Sequence, residues 1–168
     1  MEIILDGVDL QILNIMQSSA KIPNVELARQ LEMAPSAVLE RVKKLEQKEV
    51  ILGYSTRINP LAVQQRLLAF IFIKASDGMG STETARMISE IPEVQEVHHI
   101  AGDDCFLIKI RTADSASLMN IMRTRLSGIP RIVSTRTTIV LETVKEECAI
   151  VIPNANAEPN SKVITEKS

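Results

Sequence analysis

The chain has 168 residues, a net charge of −2 and 45% hydrophobic residues, enough to bury one core or two small ones. A sequence pI near 5.8 excludes a protein that binds nucleic acid through an overall positive charge, so any such contact must come from a local basic patch. Aromatic residues make up only 2% of the chain, which argues against single-strand binding by base stacking and leaves duplex DNA open.

The two cysteines, Cys105 and Cys148, lie far apart and outside any CxxC spacing. This pattern indicates neither a disulfide framework nor a zinc site, and we expect no metal and no other cofactor. The first residues lack the features of a signal peptide, and no later apolar run reaches the length of a membrane span. We therefore expect a soluble, cytoplasmic protein.

Three short helices are predicted at the amino terminus. The first covers residues 8–16 after Asp6, a good N-cap residue with Asp9 three positions later. The second follows Asn24, which we expect to cap it, and has Val25 among its inward-facing residues. The third begins at Pro35, because proline is tolerated at the first helical position, and runs to about residue 48.

The remaining elements alternate between strand and helix patterns. Residues 50–52 and 54–58, joined through Gly53, are predicted to form two short strands, a wing beside the helices. Six elements follow: strand 67–75, helix 81–90, strands 94–100 and 105–111, helix 116–126 and strand 132–144. We expect Ser115 or Asp114 to cap the helix over 116–126. The βαββαβ order of the six elements is that of a ferredoxin-like domain, so the fold class is α+β.

These elements predict a division of the chain into four parts. The parts are a winged helix-turn-helix domain over 1–58, a hinge over 59–65, a ferredoxin-like domain over 66–152 and a disordered polar tail over 153–168.

Two short helices joined by a tight turn, the second with a basic outer side, are typical of proteins that place a recognition helix in the major groove of DNA. Small side chains in the first turn can approach base edges, and cations suit guanine edges or phosphates. Seven residues are therefore candidates for DNA contact: Ser36, Ala37, Arg41, Lys43, Lys44, Lys48 and Arg57.

A less specific interpretation stays open, because the same charges can form the solvated side of a surface helix with Glu–Lys pairs. Few phosphate contacts also imply modest affinity per protomer. Useful DNA binding would then require dimerisation, with half-sites about 34–36 Å apart or a multiple of that distance.

Short motifs follow one another in a specific order along residues 5–152. They are LD at 5–6 with Asp9, NVELA at 24–28, LERVKKLE at 39–46, ILGY at 51–54, NP at 59–60, VHHIAGD at 97–103 and TTIVLETVK at 137–145. In this order and spacing they resemble the Lrp/AsnC family, the leucine-responsive and feast/famine regulators.

The resemblance implies a sequence-specific transcriptional regulator in which a winged-helix DNA-binding domain is fused to a ferredoxin-like domain. It implies homodimers that assemble further, commonly as octamers, and no catalytic residues. It also implies a small-molecule effector, classically an amino acid, that changes oligomer state or DNA affinity. The residues implied to lie near that effector are Gly102, Asp103, Asp104, Thr135 and Thr137.

Three positions depart from the family pattern. Cys105 stands where many members that bind amino acids carry a second acidic residue, so either Asp104 compensates, or the ligand is not an ordinary amino acid, or the effector is lost. In the helix-turn-helix, Glu32 replaces the usual turn glycine, whose left-handed backbone costs little only for glycine. Ala34 replaces a serine cap, at a cost of roughly 1 kcal/mol.

Two alternatives remain. Siroheme decarboxylases resemble this family in both domains, but the basic recognition helix argues against an enzyme of that type. His98 and His99 do not form a metal or acid–base site, because strand alternation sends them to opposite faces, so we do not expect an enzyme. The chain could also be a regulatory partner that binds DNA only in a hetero-oligomer.

Overall fold

The computed structural model describes residues 3–76, 82–102 and 105–153. Its internal contacts divide the chain into two compact units. The helix unit runs up to Arg57 and also includes the described residues from Glu147 onward, whereas the sheet unit covers Ile58–Glu146. The chain therefore passes between the units twice, once after Arg57 and once after Glu146.

The helix unit contains the three expected helices: α1 (Gly7–Ser18), α2 (Asn24–Gln30) and α3 (Pro35–Gln47). Asp6 caps α1 as predicted, since its carboxylate accepts a hydrogen bond from the Asp9 N–H at 2.8 Å. The Asp9 carboxylate accepts one from the Asp6 N–H at 3.2 Å, so the two residues form a capping box. The buried core of the unit comprises Ile12, Leu27, Ala28, Val38, Val42 and Leu45.

The beginning of α2 differs from the prediction. Asn24 does not cap the helix but is its first residue, and Pro23 occupies the N-cap. The Asn24 amide donates instead to the Pro35 carbonyl at 2.8 Å, which ties the starts of α2 and α3 together. Val25 is 68% exposed rather than inward-facing, because it lies roughly 200° around the helix from the buried Leu27.

The predicted wing strands are absent: residues 50–58, all described, contain no strand. The N–H groups of Val50 and Ile51 donate to the Leu45 carbonyl at 2.9 and 3.2 Å and close the end of α3. Gly53 alone is also shorter than the two-residue loops of tight hairpins. The helix-turn-helix prediction is therefore confirmed, whereas its wing prediction is wrong.

The sheet unit has the expected βαββαβ order. Its four strands form an antiparallel sheet in the order β2-β3-β1-β4, which confirms the ferredoxin-like arrangement. The strands are β1 (Leu67–Ala75), β2 (Val94–His99), β3 (Phe106–Thr112) and β4 (Ile132–Ile139), and the helices are α4 (Glu83–Ser89) and α5 (Ser115–Ile121). A π-helical turn, Met122–Leu126, continues α5.

Strand register separates the two faces of the sheet. Ile71 pairs with Ile108 and with Thr137, so these three residues point to one face, and Ile71 and Ile108 are fully buried there. The neighbouring pair Phe70 and Lys109 points to the opposite face. The core of the unit is Ala69, Ile71, Ile73, Ile88, Ile91, Phe106, Ile108, Ile110, Leu118, Ile121, Leu126 and Ile129.

Two element ends in the sheet unit refine the predictions. Asp114, one of the two expected cap residues, caps α5 by accepting the Ser117 N–H at 2.7 Å. The last strand ends at Ile139, which pairs with Ala69, instead of residue 144; β1 begins at Leu67, so residues 142–144 would have no partner in it. The Val140 N–H still donates to the Leu68 carbonyl at 2.9 Å. Within the described ranges, no helix is both long and apolar enough to span a bilayer.

Candidate functional site

The first turn of α3 is open to solvent beside several cations. Ser36 is exposed and Ala37 is half-buried, so the predicted base-contacting turn is accessible. Lys43 and Lys48 are exposed, and no ion-pair partner for either is found among the described residues. This end of α3 and its lysine-bearing side together form an accessible, locally basic surface.

Arg41 is engaged within the helix unit. Its guanidinium donates to the Asp6 carboxylate at 2.7 Å and to the Asp9 carboxylate at 2.8 Å. These hydrogen bonds raise the pKa of Arg41. Because Asp6 and Asp9 begin α1, Arg41 fixes α3 against the amino-terminal end of α1. Sequence reasoning missed this role, since the partners lie more than thirty positions away.

Lys44 has a local partner, as the less specific interpretation of the helix expects. Its ammonium lies 2.8 Å from the Glu40 carboxylate one turn earlier, and the hydrogen bond from Lys44 lowers the pKa of Glu40. Both side chains are more than half exposed, so the pair contributes little to stability and can open to another anion.

The segment after α3 carries Arg57, which is exposed. Tyr54 attaches this segment to α3, because its hydroxyl donates to the Glu46 carboxylate at 2.7 Å. Partial burial, together with that hydrogen bond, raises the pKa of Tyr54 to about 12. The Tyr54 contact has no counterpart in the sequence prediction of a wing.

A surface cavity of about 340 Å³ lies along α3. Its lining is mostly polar and charged at the α3 side, so it has the character of a hydrated surface groove. The lining residues are Leu5, Asp9, Met33, Ala37, Glu40, Arg41, Lys44, Leu45 and Lys48.

The implied effector residues lie around one end of the sheet. Gly102 has φ +137°, a backbone conformation that favours glycine, whereas Asp103 and Asp104 fall outside the described residues. The Cys105 N–H donates to the Ile73 carbonyl at 2.8 Å, and Ile73 pairs on its other side with Thr135. The connection after β2 therefore returns to the sheet two strand spacings, about 10 Å, from Thr135.

The two candidate threonines of β4, Thr135 and Thr137, differ in accessibility. Thr135 is exposed, whereas Thr137 is half-buried and its hydroxyl donates to the Met122 sulfur at 3.7 Å. Thr137 thus contacts the π-helical turn, and Thr135 offers its hydroxyl to solvent at the end of the sheet nearest Cys105.

Cys105 is half-buried against β1. Its Sγ accepts from the Ala75 N–H and donates to the Ala75 carbonyl, both at 3.4 Å. A carboxylate at this position would retain the first bond but would place its charge beside the carbonyl oxygen. The thiol is therefore matched to this part of β1, whereas an acidic residue would not be.

The two histidines separate as strand alternation predicts. His98 lies 3.2 Å from the Glu96 carboxylate on the Lys109 face, and the His99 ring stacks on the Phe106 ring with centroids 4.9 Å apart. The described residues contain no cluster of His, Cys, Asp and Glu suited to a metal ion.

A charged cluster on the Lys109 face of the sheet was missed by the sequence analysis. The Lys109 ammonium lies 3.0 Å from Glu96 and 2.5 Å from Glu146, and the Arg111 guanidinium lies 3.0 Å from Glu146. The Lys109 and Arg111 side chains are only 14% and 13% exposed. Hydrogen bonding by Lys109 outweighs partial burial and lowers the pKa of Glu146. The sequence signal for this cluster is the pair of cations at alternate positions of β3, Lys109 and Arg111.

Comparison with known proteins matches both units. A model of the AsnC-type helix-turn-helix domain matches residues 5–46, and a model of the Lrp/AsnC ligand binding domain matches residues 68–150. The leucine-responsive regulatory protein of Haemophilus influenzae is 36% identical over 150 residues, which cover 88% of this chain and 90% of that protein. The protein of the same name from Escherichia coli (strain K12) is 33% identical over 88% of this chain and 92% of its own length.

A solved structure agrees. The feast or famine regulatory protein of M. tuberculosis complexed with L-methionine has a TM-score of 0.81 and 30% identity, covering 89% of this chain and 99% of that one. These relatives are regulatory proteins, so the enzyme alternative receives no support. Because the match extends over nearly the whole length of each relative, this chain belongs to the Lrp/AsnC family of transcriptional regulators.

Proposed function

We propose that the chain is a sequence-specific duplex-DNA-binding regulator that acts in the cytoplasm and reads base edges with the first turn of α3. The observation that carries this proposal is the accessible surface of Ser36 and Ala37 beside Lys43 and Lys48. Small side chains in the first turn permit close approach to bases, and the lysines favour the flanking phosphates. Lys44 and Arg57 are further phosphate contacts in this proposal.

Arg41 has a different place in the proposal from the one that sequence alone suggests. Its guanidinium is bound by Asp6 and Asp9, so it acts first by holding α3 at a fixed orientation. A base or phosphate contact from Arg41 would have to replace one of these carboxylates. Arg41 is therefore a positioning residue whose contribution to DNA affinity passes largely through α3.

The effector in this proposal is an amino acid bound near Gly102, Asp103, Asp104, Thr135 and Thr137. Support comes from the exposed Thr135 hydroxyl near the end of the β2–β3 connection, and from the L-methionine complex of the M. tuberculosis relative. L-methionine is accordingly the first ligand to test. Effector binding would change DNA affinity or the assembly of homodimers into larger oligomers such as octamers, provided the two states bind it differently.

Selection of bound duplexes from a random-sequence pool, followed by fluorescence anisotropy, tests the DNA-binding proposal. We expect Lys43→Ala and Lys48→Ala to weaken binding to all sequences and to reduce the salt slope by about 1 each, because each removes one phosphate contact. Ser36→Ala is expected to change the selected sequence instead. Lys21→Ala, an exposed lysine outside α3, is the matched control. Equal losses for Lys43→Ala and Lys21→Ala, or no selected sequence, would refute the proposal.

A further inference from the structure

A carboxy-terminal segment is bonded to α1 through one side chain. The Gln17 amide nitrogen donates to the Ile150 carbonyl at 2.9 Å, and the Ile150 N–H donates to the Gln17 amide oxygen at 3.2 Å. The amide thus satisfies both main-chain groups of Ile150, as a neighbouring strand would. Ile150 is 73% exposed, so its main-chain hydrogen bonds, rather than burial of its own side chain, hold it to α1.

The same segment is anchored at its other end in the sheet unit. Glu146 is the last residue of that unit, and its carboxylate is bound by Lys109 and Arg111 of β3. Since both cations are largely buried, this anchor is shielded from solvent and salt more than a surface ion pair. Glu146 is therefore fixed to the centre of the sheet rather than to a loop.

Only three residues separate the two anchors. From Glu146 to Ile150 the chain spans at most about 14 Å when fully extended, so it has little slack. Gln17 lies in the last turns of α1, and the other end of α1 holds Arg41 of α3 through Asp6 and Asp9. A continuous series of bonded groups thus connects β3, Glu146, Ile150, α1 and α3.

We infer that residues 146–150 form a tether through which ligand-dependent changes in the sheet unit alter the DNA affinity of α3. This inference rests on the proposed function. In the ligand-responsive protein, the tether holds α1 to the segment that follows Glu146. Loss of the tether leaves the DNA-binding surface intact but removes the effect of the ligand on DNA affinity. Such coupling is a free energy that both sites must influence, so it is measurable as a change in the effect of one ligand on the other.

Hydrogen exchange of the full chain tests the physical tether without any ligand. Gln17→Ala removes both bonds to Ile150 and is expected to speed exchange of the Ile150 amide about tenfold. Gln17→Glu retains an acceptor for the Ile150 N–H, so its Ile150 exchange rate is expected to lie between those of the wild type and Gln17→Ala. Gln11→Ala, an exposed glutamine on the same helix, is the control. Equal protection in Gln17→Ala and Gln11→Ala would overturn the inference.

DNA binding with and without L-methionine tests the coupling. Where L-methionine changes the wild-type dissociation constant by a factor of roughly 5 to 150, Gln17→Ala is expected to bring that factor close to 1 while leaving ligand-free affinity unchanged. Glu146→Gln is expected to do the same, and the double variant to add nothing further. A full methionine effect in Gln17→Ala would overturn the inference.

The two proposals fail in distinguishable ways. If the wild type binds no selected DNA or ignores L-methionine, the proposed function or its effector fails, and the exchange experiment alone then decides whether the tether exists. If the wild type responds and Gln17→Ala responds equally, the proposed function stands and the tether is refuted.

Discussion

The two units of the chain hold their shape by different means. In the sheet unit, β1 and β3 bury Ile71, Ile73, Ile108 and Ile110 completely beneath the helices. The helix unit has a smaller core, and the polar contacts of Arg41 with Asp6 and Asp9 join α1 to α3. Burial thus dominates the sheet unit, whereas in the helix unit a few charged groups act together with the buried Val38, Val42 and Leu45 to hold α3.

Removing one buried isoleucine from each unit is expected to have the largest effect on stability. Ile12→Ala and Ile108→Ala are each expected to lower the free energy of unfolding of their own unit by about 2–5 kcal/mol, since both side chains are 0% exposed. The melting temperature should fall further for Ile12→Ala, because a smaller unit has a smaller unfolding entropy. Scanning calorimetry measures both transitions, and Leu52→Ala, 90% exposed, is the control. A single transition that both variants shift equally would contradict two separate units.

The caps of α1 and α5 differ in the polar contacts that they make. Asp6→Ala removes a cap and a partner of Arg41, whereas Asp114→Ala removes only a cap. We expect losses of about 2 kcal/mol and about 1 kcal/mol respectively in urea denaturation at neutral pH.

Acid provides an internal control for the Asp6 variant. Burial opposes ionisation of Asp6, but hydrogen bonds from the Asp9 N–H and Arg41 outweigh it and lower its pKa from 3.8. The Asp6 contribution is therefore complete above pH 3.8 and is lost as the pH falls through the lower pKa of the folded state. The difference between wild type and Asp6→Ala should therefore shrink as the pH falls below 3.8. Equal losses for both caps at neutral pH would show that Arg41 adds nothing.

Backbone strain gives the smallest expected effects, with opposite signs in the two units. Glu32 has φ 53° in the turn before α3, so Glu32→Gly should stabilise the helix unit by about 1 kcal/mol. Gly102 has φ +137°, so Gly102→Ala should destabilise the sheet unit by about 1–2 kcal/mol. Thermal denaturation measures both. Glu32→Ala retains the strained backbone, and a gain equal to that of Glu32→Gly would assign the effect to the lost carboxylate instead.

The sequence predicted those features that local pattern determines. β1 matches its predicted bounds to the residue, Pro35 begins α3, and Asp6 caps α1. The left-handed backbone at Glu32 and the lack of a side-chain cap at Ala34, before α3, also follow from comparison with the family pattern. Each of these features depends on a few neighbouring residues, so apolar spacing and cap chemistry are sufficient to predict it.

The features that sequence missed depend on partners far along the chain. The wing and the end of β4 were overpredicted because a strand needs a neighbour as well as β-forming residues. Arg41, Glu146 and Gln17 bind groups 32 to 133 positions away, and such polar contacts leave no periodic signal. The candidate DNA residues were found as a local basic pattern, but the anchoring of Arg41 was not.

The second crossing of the chain has a consequence for recombination and for engineered chimeras. The DNA-binding unit is not one continuous segment, because the described residues from Glu147 onward belong with those up to Arg57. An exchange of the amino-terminal helices alone between two family members would combine Gln17 of one parent with the carboxy-terminal segment of the other. A DNA-reading module transplanted with both pieces would keep its own hydrogen-bond partner at Ile150.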